Sequence, residues 1–364
     1  MDLAVKPSVL VSRRVDVWLL GGLGVLLWGA VFLGQHAGLS LSSSAVNVVF
    51  WVGAALTAAH FGLSYHLAYG FGVTAAKARP LPLLVFPVAL AVVLVGCAVW
   101  VRVAGGTSAE RQFAGAAITT VFLLTAWHYL KQTYGVGRVA AGYAGLRLSK
   151  TEADVLRYAL YPMWFYNAAQ ILQQGNTYYL DNYRFGASLL PAWCISGLHV
   201  AAYAALAPIV IVFARLAQRG ELPWMLTMPY VAATLWFMFP VNPVATSLVL
   251  APVHALQYLA IGHRAELGLA VRDSAGVNFA WWLNIALAVT SGGLLATRWL
   301  PQWLDSHIDP GAPLLASAVF FTFLNLHHYV IDATVWRSNG MLIKALRTDQ
   351  RKAEAPVSAR PIMS

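Results

Sequence analysis

Long apolar runs separated by short polar or Gly- and Pro-containing stretches repeat along almost the whole chain. A helix needs roughly 18 to 25 such residues to cross a hydrocarbon core about 30 Å thick. Ten runs meet that length, at approximately 16–34, 46–70, 82–103, 113–134, 156–175, 191–214, 223–240, 244–263, 279–298 and 313–335. The pattern predicts an all-α, polytopic membrane helix bundle of about ten transmembrane helices, forming a single domain over 1–347. Residues 348–364 carry Pro356, Pro361 and mixed charges without periodicity, which predicts a disordered tail. Between the runs, the Gly-rich and basic segment 135–155 reads as the longest inner loop, with a helix starting near Thr151 and Asp154. The polar and aromatic segment 173–183 reads as an outer interfacial loop. The first run follows Lys6, Arg13 and Arg14 but lacks a small-residue cleavage site, so it reads as a retained helix.

Charge tests the count of runs. With the N-terminus in the cytoplasm, 20 of the 24 Lys and Arg residues fall on inner segments; only Arg102, Arg111, Arg184 and Arg298 fall outside. Basic residues are retained on the cytoplasmic side during insertion, and one missing span would scramble this alternation. Both termini are therefore expected inside, in a multi-pass protein of the inner (cytoplasmic) membrane.

Composition removes two other classes. The chain is 59% hydrophobic and only 10% charged, with a mean hydropathy of +0.64, against about 25% charge in a soluble domain. The net charge of +10 would suit nucleic acid in a soluble protein, but here topology accounts for it. The expected partners are the lipid bilayer and a lipophilic small molecule, with no nucleic acid. Cys97 and Cys194 lie in apolar runs without a metal or disulfide motif.

The candidate chemistry is histidine. His36, His307 and His199 lie towards the predicted outer face, but His60, His66, His128, His254, His263, His327 and His328 fall only on the second, fourth, eighth and tenth runs. Arg138, Arg264 and Arg337 each follow His128, His254 and His327 by ten residues, and Lys77 follows His66 by eleven. At about 1.5 Å per residue, this puts four sets of imidazoles roughly 15 Å from the inner boundary. Ionisable groups at that depth are expensive and mark function. Imidazoles from separate helices of a bundle suit Fe, Cu or Zn.

The candidate metal ligands are therefore His60 or His66, His128, His254, and His327 or His328. His60 and His66 are about 240° apart around a helix and His327 and His328 about 100° apart, so each close pair offers alternatives. His263, nine residues from His254, points to the opposite face. Asp332, Gln132 and Tyr258 each follow a histidine by four residues, on the same helical face, and are the candidates to orient a ring or act on substrate. Trp127, Tyr129 and Tyr134, with the aromatic cluster at 158–166, could line a pocket for a long apolar substrate.

Ala59-His60-Phe61-Gly62-Leu63, the segment from His254 to Arg264, and His328-Tyr329-Val330-Ile331-Asp332 resemble segments of the bacterial membrane β-carotene 15,15′-dioxygenases of the bacterioopsin-related-protein type. The resemblance implies a histidine-bound non-haem iron and oxygenase chemistry. The sequence reading is thus a membrane metal oxygenase or oxidoreductase, with non-haem iron first and Cu or Zn as other ions, acting on a carotenoid-like or lipid substrate. Two other classes stand beside it: a haem b electron-transfer protein with axial histidines, and a proton-coupled transporter with a histidine relay through Asn167, Gln170 and His199.

Overall fold

The computed structural model describes residues 9–39, 42–69, 77–173, 177–179, 183–185, 190–239, 241, 243–272, 279–308, 315–337, 340 and 342–346. The predicted tail at 348–364 lies outside them.

The described chain is helical apart from one hairpin. In order, the helices are α1 (Arg13–Val17), α2 (Leu23–His36), α3 (Ser43–Tyr69), α4 (Phe86–Tyr143), α5 (Lys150–Tyr158), α6 (Tyr161–Gln173), α7 (Ala192–Ala204), α8 (Leu206–Gln218), α9 (Trp224–Met238), α10 (Pro243–Arg272), α11 (Phe279–Leu294), α12 (Leu300–Ile308) and α13 (Leu315–Val335). Wider π turns, Trp18–Gly22, Leu81–Val85 and Leu295–Trp299, lead into α2, α4 and α12. Strands β1 (Thr177–Tyr179) and β2 (Tyr183–Phe185) pair antiparallel, with Tyr178 opposite Arg184, where the sequence reading expected only an interfacial loop.

Five stretches are long and apolar enough to cross a membrane: Arg14–His36, Ser43–Tyr69, Leu81–Ala104, Ser108–Tyr143 and Ala192–Gln218. As a straight rod α4 would be about 87 Å long, nearly three bilayer cores, and it contains two of these stretches. Leu81–Ala104 exposes Leu81, Val88, Val92, Val99 and Trp100, a contiguous apolar face that water would not tolerate. The remaining predicted runs are also helical, on α5 and α6, α9, α10, α11 with its π turn, and α13. Of these, α13 carries Asn325, His327, His328 and Asp332 within 21 residues.

One expectation is overturned. The segment 135–155 is mostly not a loop: α4 runs to Tyr143, and only 144–149 separate it from α5. Gly135 and Gly137 are packing residues, the first facing the Trp336 ring and the second facing Tyr230 and Leu226. The next helix starts two residues earlier than expected, at Ser149. Its hydroxyl accepts from the Glu152 N–H at 3.2 Å, and the Glu152 carboxylate accepts from the Ser149 N–H at 2.8 Å. The Ser149 N–H and then hydroxyl, together with Arg219 at 3.0 Å, hold the Glu152 carboxyl below its ordinary value.

The contacts fix the helix directions that matter for the site. Along α3, Gly53, His60, Leu63 and His66 meet Pro252, His254, Gly262 and Glu266 of α10 in ascending order, so the two helices run parallel. His128 and Gly135 of α4 likewise meet Tyr329 of α13 and Trp336 just beyond it. His128 and Gln132 meet the His254 ring and the Gln257 side chain of α10. The four histidine-bearing helices therefore all point the same way.

A returning helix, α11, runs antiparallel to α3. Gly62 faces the Val289 carbonyl and Gly293 faces the Ala58 carbonyl, and at either place a Cβ would strike backbone. Small residues at such crossings let membrane helices approach. One apolar cluster, including Leu63, Val136, Tyr258, Ile261 and Ile331, fills the bundle on one side of the histidine level. A smaller one at Ala114, Ile118 and Ala318 lies on the other.

Candidate metal centre

His60 on α3, His128 on α4, His254 on α10 and His328 on α13 converge, each at most 6% exposed. Local sequence sets each ring. His254 follows Pro252 by two residues; Pro252 cannot donate to the Leu248 carbonyl, and that carbonyl lies against Gly53 of α3. His60 sits two residues before Gly62, where α3 presses on α11. The Gln132 side chain donates to the His254 carbonyl at 2.9 Å and to Gln257 at 3.3 Å, and Gln257 donates to the Leu20 carbonyl at 2.8 Å. This chain of amides fixes α4 and α10 in register and ties both to the turn before α2.

One potential ligand atom from each ring lies within 4.8 Å of the other three. His60 Nε2 is 2.9 Å from His328 Nε2, and His128 Nε2 is 3.2 Å from His254 Nε2. Nitrogens bound at about 2.0–2.1 Å to one ion are separated by roughly 3.0–3.4 Å when adjacent and about 4.2 Å when opposite, so the observed spacing fits a shared ion. Two His–His hydrogen bonds would account for the short distances alone, but not for Asp332. Its Oδ2 is 3.6 Å from both His128 Nε2 and His328 Nε2, its side chain is 6% exposed, and neither oxygen makes a close hydrogen bond, the Ser64 and Tyr258 hydroxyls being its polar neighbours. A buried carboxylate needs a counter-charge; Lys131 is within electrostatic reach, and a cation among the four imidazoles would supply one beside it. The donor set and the orphaned carboxylate both fit a metal ion.

Aromatic rings wall the centre. Tyr329 stacks on His128 at 4.5 Å and Tyr129 on His254 at 4.0 Å, while Tyr258 meets His60 edge-on at 4.3 Å. Tyr329 is itself held by Thr125 at 2.5 Å and Asn325 at 3.3 Å. The Tyr258 hydroxyl is buried without a hydrogen-bond partner, and with Ser64 it neighbours Asp332.

Of the residues singled out from sequence, His60, His128, His254, His328, Asp332, Tyr258 and Gln132 come together. His66 and His327 do not. His66 turns to the buried Glu266 of α10, with Nε2 3.3 Å from Oε1. His327 lies between Tyr65 at 2.8 Å and Tyr69 at 3.1 Å. Because Tyr69 donates its single proton to the Leu83 carbonyl at 2.8 Å, it accepts from His327 Nε2–H, which leaves Nδ1 to accept from Tyr65. Both rings of the close pairs that miss the centre therefore have partners of their own.

Sequence reasoning missed Ser64 and Tyr329, and singled out Tyr129 only as a ring lining a substrate pocket. Ser64 follows His60 by four residues, so the spacing that selected Asp332 also selects it. Tyr129 and Tyr329 each follow a histidine but stack on the histidine of a neighbouring helix, which only helix adjacency reveals. Gln170 and His199 group instead around Tyr166, with the Gln170 amide 2.5 Å from its hydroxyl and the His199 ring stacked at 4.3 Å.

A cavity of about 710 Å³ reaches the centre at His128, Gln132 and Asp332, with Trp127, Tyr134 and Trp336 along its wall. Four buried imidazoles, an unpaired carboxylate and an access cavity make a candidate metal centre inside a helical membrane protein. Compared with known protein families, curated proteins and solved structures, the chain matches none.

Proposed function

We propose that the chain is a ten-span protein of the cytoplasmic membrane with both termini inside, in which His60, His128, His254 and His328 hold one non-haem metal ion for oxygenase or oxidoreductase chemistry on a lipophilic substrate. Iron is the first choice, with Cu and Zn as other ions that accept imidazole. The 20 to 4 division of basic residues supports the sidedness. The resemblance of the three histidine segments to membrane β-carotene dioxygenases supports iron and a carotenoid-like or lipid substrate. The observation that carries the reading is the meeting of four buried imidazoles within 4.8 Å.

When bound, iron or copper would supply one-electron and O₂ chemistry, which zinc would not. The protein's own groups do the rest. The four rings fix the ion's position, and Tyr129, Tyr329 and Phe61, whose ring is 4.5 Å from His328, keep water from it. Asp332 balances charge and offers a carboxylate oxygen for a proton. Tyr258, with no hydrogen-bond partner, offers a hydroxyl proton beside it. Gln132 acts at one remove, through the His254 backbone. A haem ligated by two of these histidines would have to displace the other two, which favours a single ion.

The test is elemental analysis and an optical spectrum of protein purified in neutral detergent. About one ion per chain, no Soret band, and loss of that ion in His128→Ala and His328→Ala are expected. Full metal occupancy in both variants would refute the reading; a Soret band would replace it with the haem b alternative.

A further inference from the structure

The cavity that reaches the histidines is also ringed by cations from separate elements: Lys131 and Arg138 of α4, Arg157 of α5, and Arg337 two residues beyond α13. Among the described residues, none of the four has an ion-pair partner. Among the described residues, Asp332 is the only carboxylate on the cavity wall, and it is directed at the histidines. Lys131 lies over the Trp127 ring at 4.2 Å and Arg157 over Tyr158 at 5.2 Å, contacts that hold the cations without neutralising them. Lys131 is within electrostatic reach of Arg157 and Arg337, and of the single carboxylate Asp332. Like charges gathered at a partly buried cavity repel one another unless an anion sits among them.

Topology explains why basic residues lie near this end of the bundle, but not why four converge on one cavity unpaired. Arg219 shows the paired alternative, since it is bonded to both Glu152 and Glu221. The spacing also sets a scale. Lys131 is three residues beyond His128 and Arg138 ten, so the cations lie roughly 5–15 Å along the helix from the imidazoles.

We propose that the cavity takes an amphiphile with an anionic head, a carboxylate or a phosphate, held by Lys131, Arg138, Arg157 and Arg337, while its apolar chain passes Trp127 and Trp336 towards His128. The position on the chain presented to the centre is then roughly 5–15 Å from the anionic group. Arginine forks suit such oxyanions in paired hydrogen bonds. The inference names the substrate class for the function proposed above and rests on that reading only for what happens at the far end.

The experiment measures binding of two matched pairs to the full chain in neutral detergent: oleate against oleyl alcohol, and phosphatidylglycerol against phosphatidylcholine. Inorganic phosphate serves as a competitor. The anionic member of at least one pair should bind roughly tenfold or more tightly, and the pair that discriminates identifies the head. Arg157→Gln and Arg337→Gln should each remove most of that preference without changing metal content. Equal binding within both pairs overturns the inference, as does inorganic phosphate binding as tightly as either amphiphile. Metal-free protein that keeps the preference would leave this inference standing while the metal reading fails; metal-loaded protein without the preference would do the reverse.

Discussion

Replacing Asp332 by Asn keeps the shape of the side chain and removes its charge, and the structure predicts opposite effects with and without metal. The carboxylate lies 3.6 Å from two of the four Nε2 atoms, near enough to feel an ion bound among them. Losing a group of this kind beside a metal costs about 10- to 100-fold in affinity, or about 1.4–2.7 kcal/mol. In the metal-free protein the same carboxylate is buried with neither oxygen hydrogen-bonded, a burden of about 1–3 kcal/mol for an unsatisfied polar group and more for a charged one. The neutral amide of Asp332→Asn relieves the charge. Chelator competition read by elemental analysis should therefore show weaker metal binding, while thermal unfolding of the chelated variant should occur at or above the wild-type temperature. Unchanged metal affinity together with a lower metal-free melting temperature would mean that Asp332 is an ordinary structural acceptor, and a cation would no longer be needed to explain its burial.

The other predictions concern the packing around the centre. Tyr65→Phe removes the donor to His327 Nδ1 and should cost about 1–3 kcal/mol of stability with metal content unchanged; a fall in metal would place His327 in the site. Gly62→Leu drives a side chain into the Val289 carbonyl and should destabilise by about 1–3 kcal/mol, read as a lower melting temperature, and a wild-type melt would sink the close crossing of α3 and α11. Because Glu152 is held below its ordinary carboxyl value by Ser149 and Arg219, its contribution is present above the unfolded-state value and disappears as pH falls through the folded-state value. Glu152→Gln should flatten that acid limb in a pH series of unfolding temperatures, and an unaltered slope would remove Glu152 as its source.

The common level of the histidines was legible in the sequence because position along a helix is only a count of residues. Ten positions from His128 to Arg138, from His254 to Arg264 and from His327 to Arg337 place three helices in register without any knowledge of packing. Choosing within the close pairs needs the neighbouring helix. His60 and His66 look equivalent until α10 is set parallel to α3, which brings His254 to the first and Glu266 to the second. The glycines at 135 and 137 misled for a related reason: Gly signals a turn and a close approach with the same letter, and only Trp336 and Tyr230 across the gap distinguish them. The hairpin at 177–185 was hidden because a six-residue pairing leaves no periodicity among polar and aromatic residues.

If all four lie in lipid, as the ten-span proposal has it, the apolar faces of α3, α4, α10 and α13 gain little by meeting one another, since acyl chains are as apolar as leucine. Close packing and internal polar contacts must therefore hold the four helices together. The polar contacts between these helices include Gln132 on the His254 carbonyl, the two Nε2 pairs, Thr125 with Tyr329, Tyr65 with His327, and His66 with Glu266. An ion bound by one ring from each helix would join all four at once, and any ligand bound only by the folded state stabilises it in proportion to the logarithm of its excess over Kd. The ion proposed for the centre would then also clasp the bundle, which accounts for one ring from each of four helices meeting at a level flanked by apolar clusters.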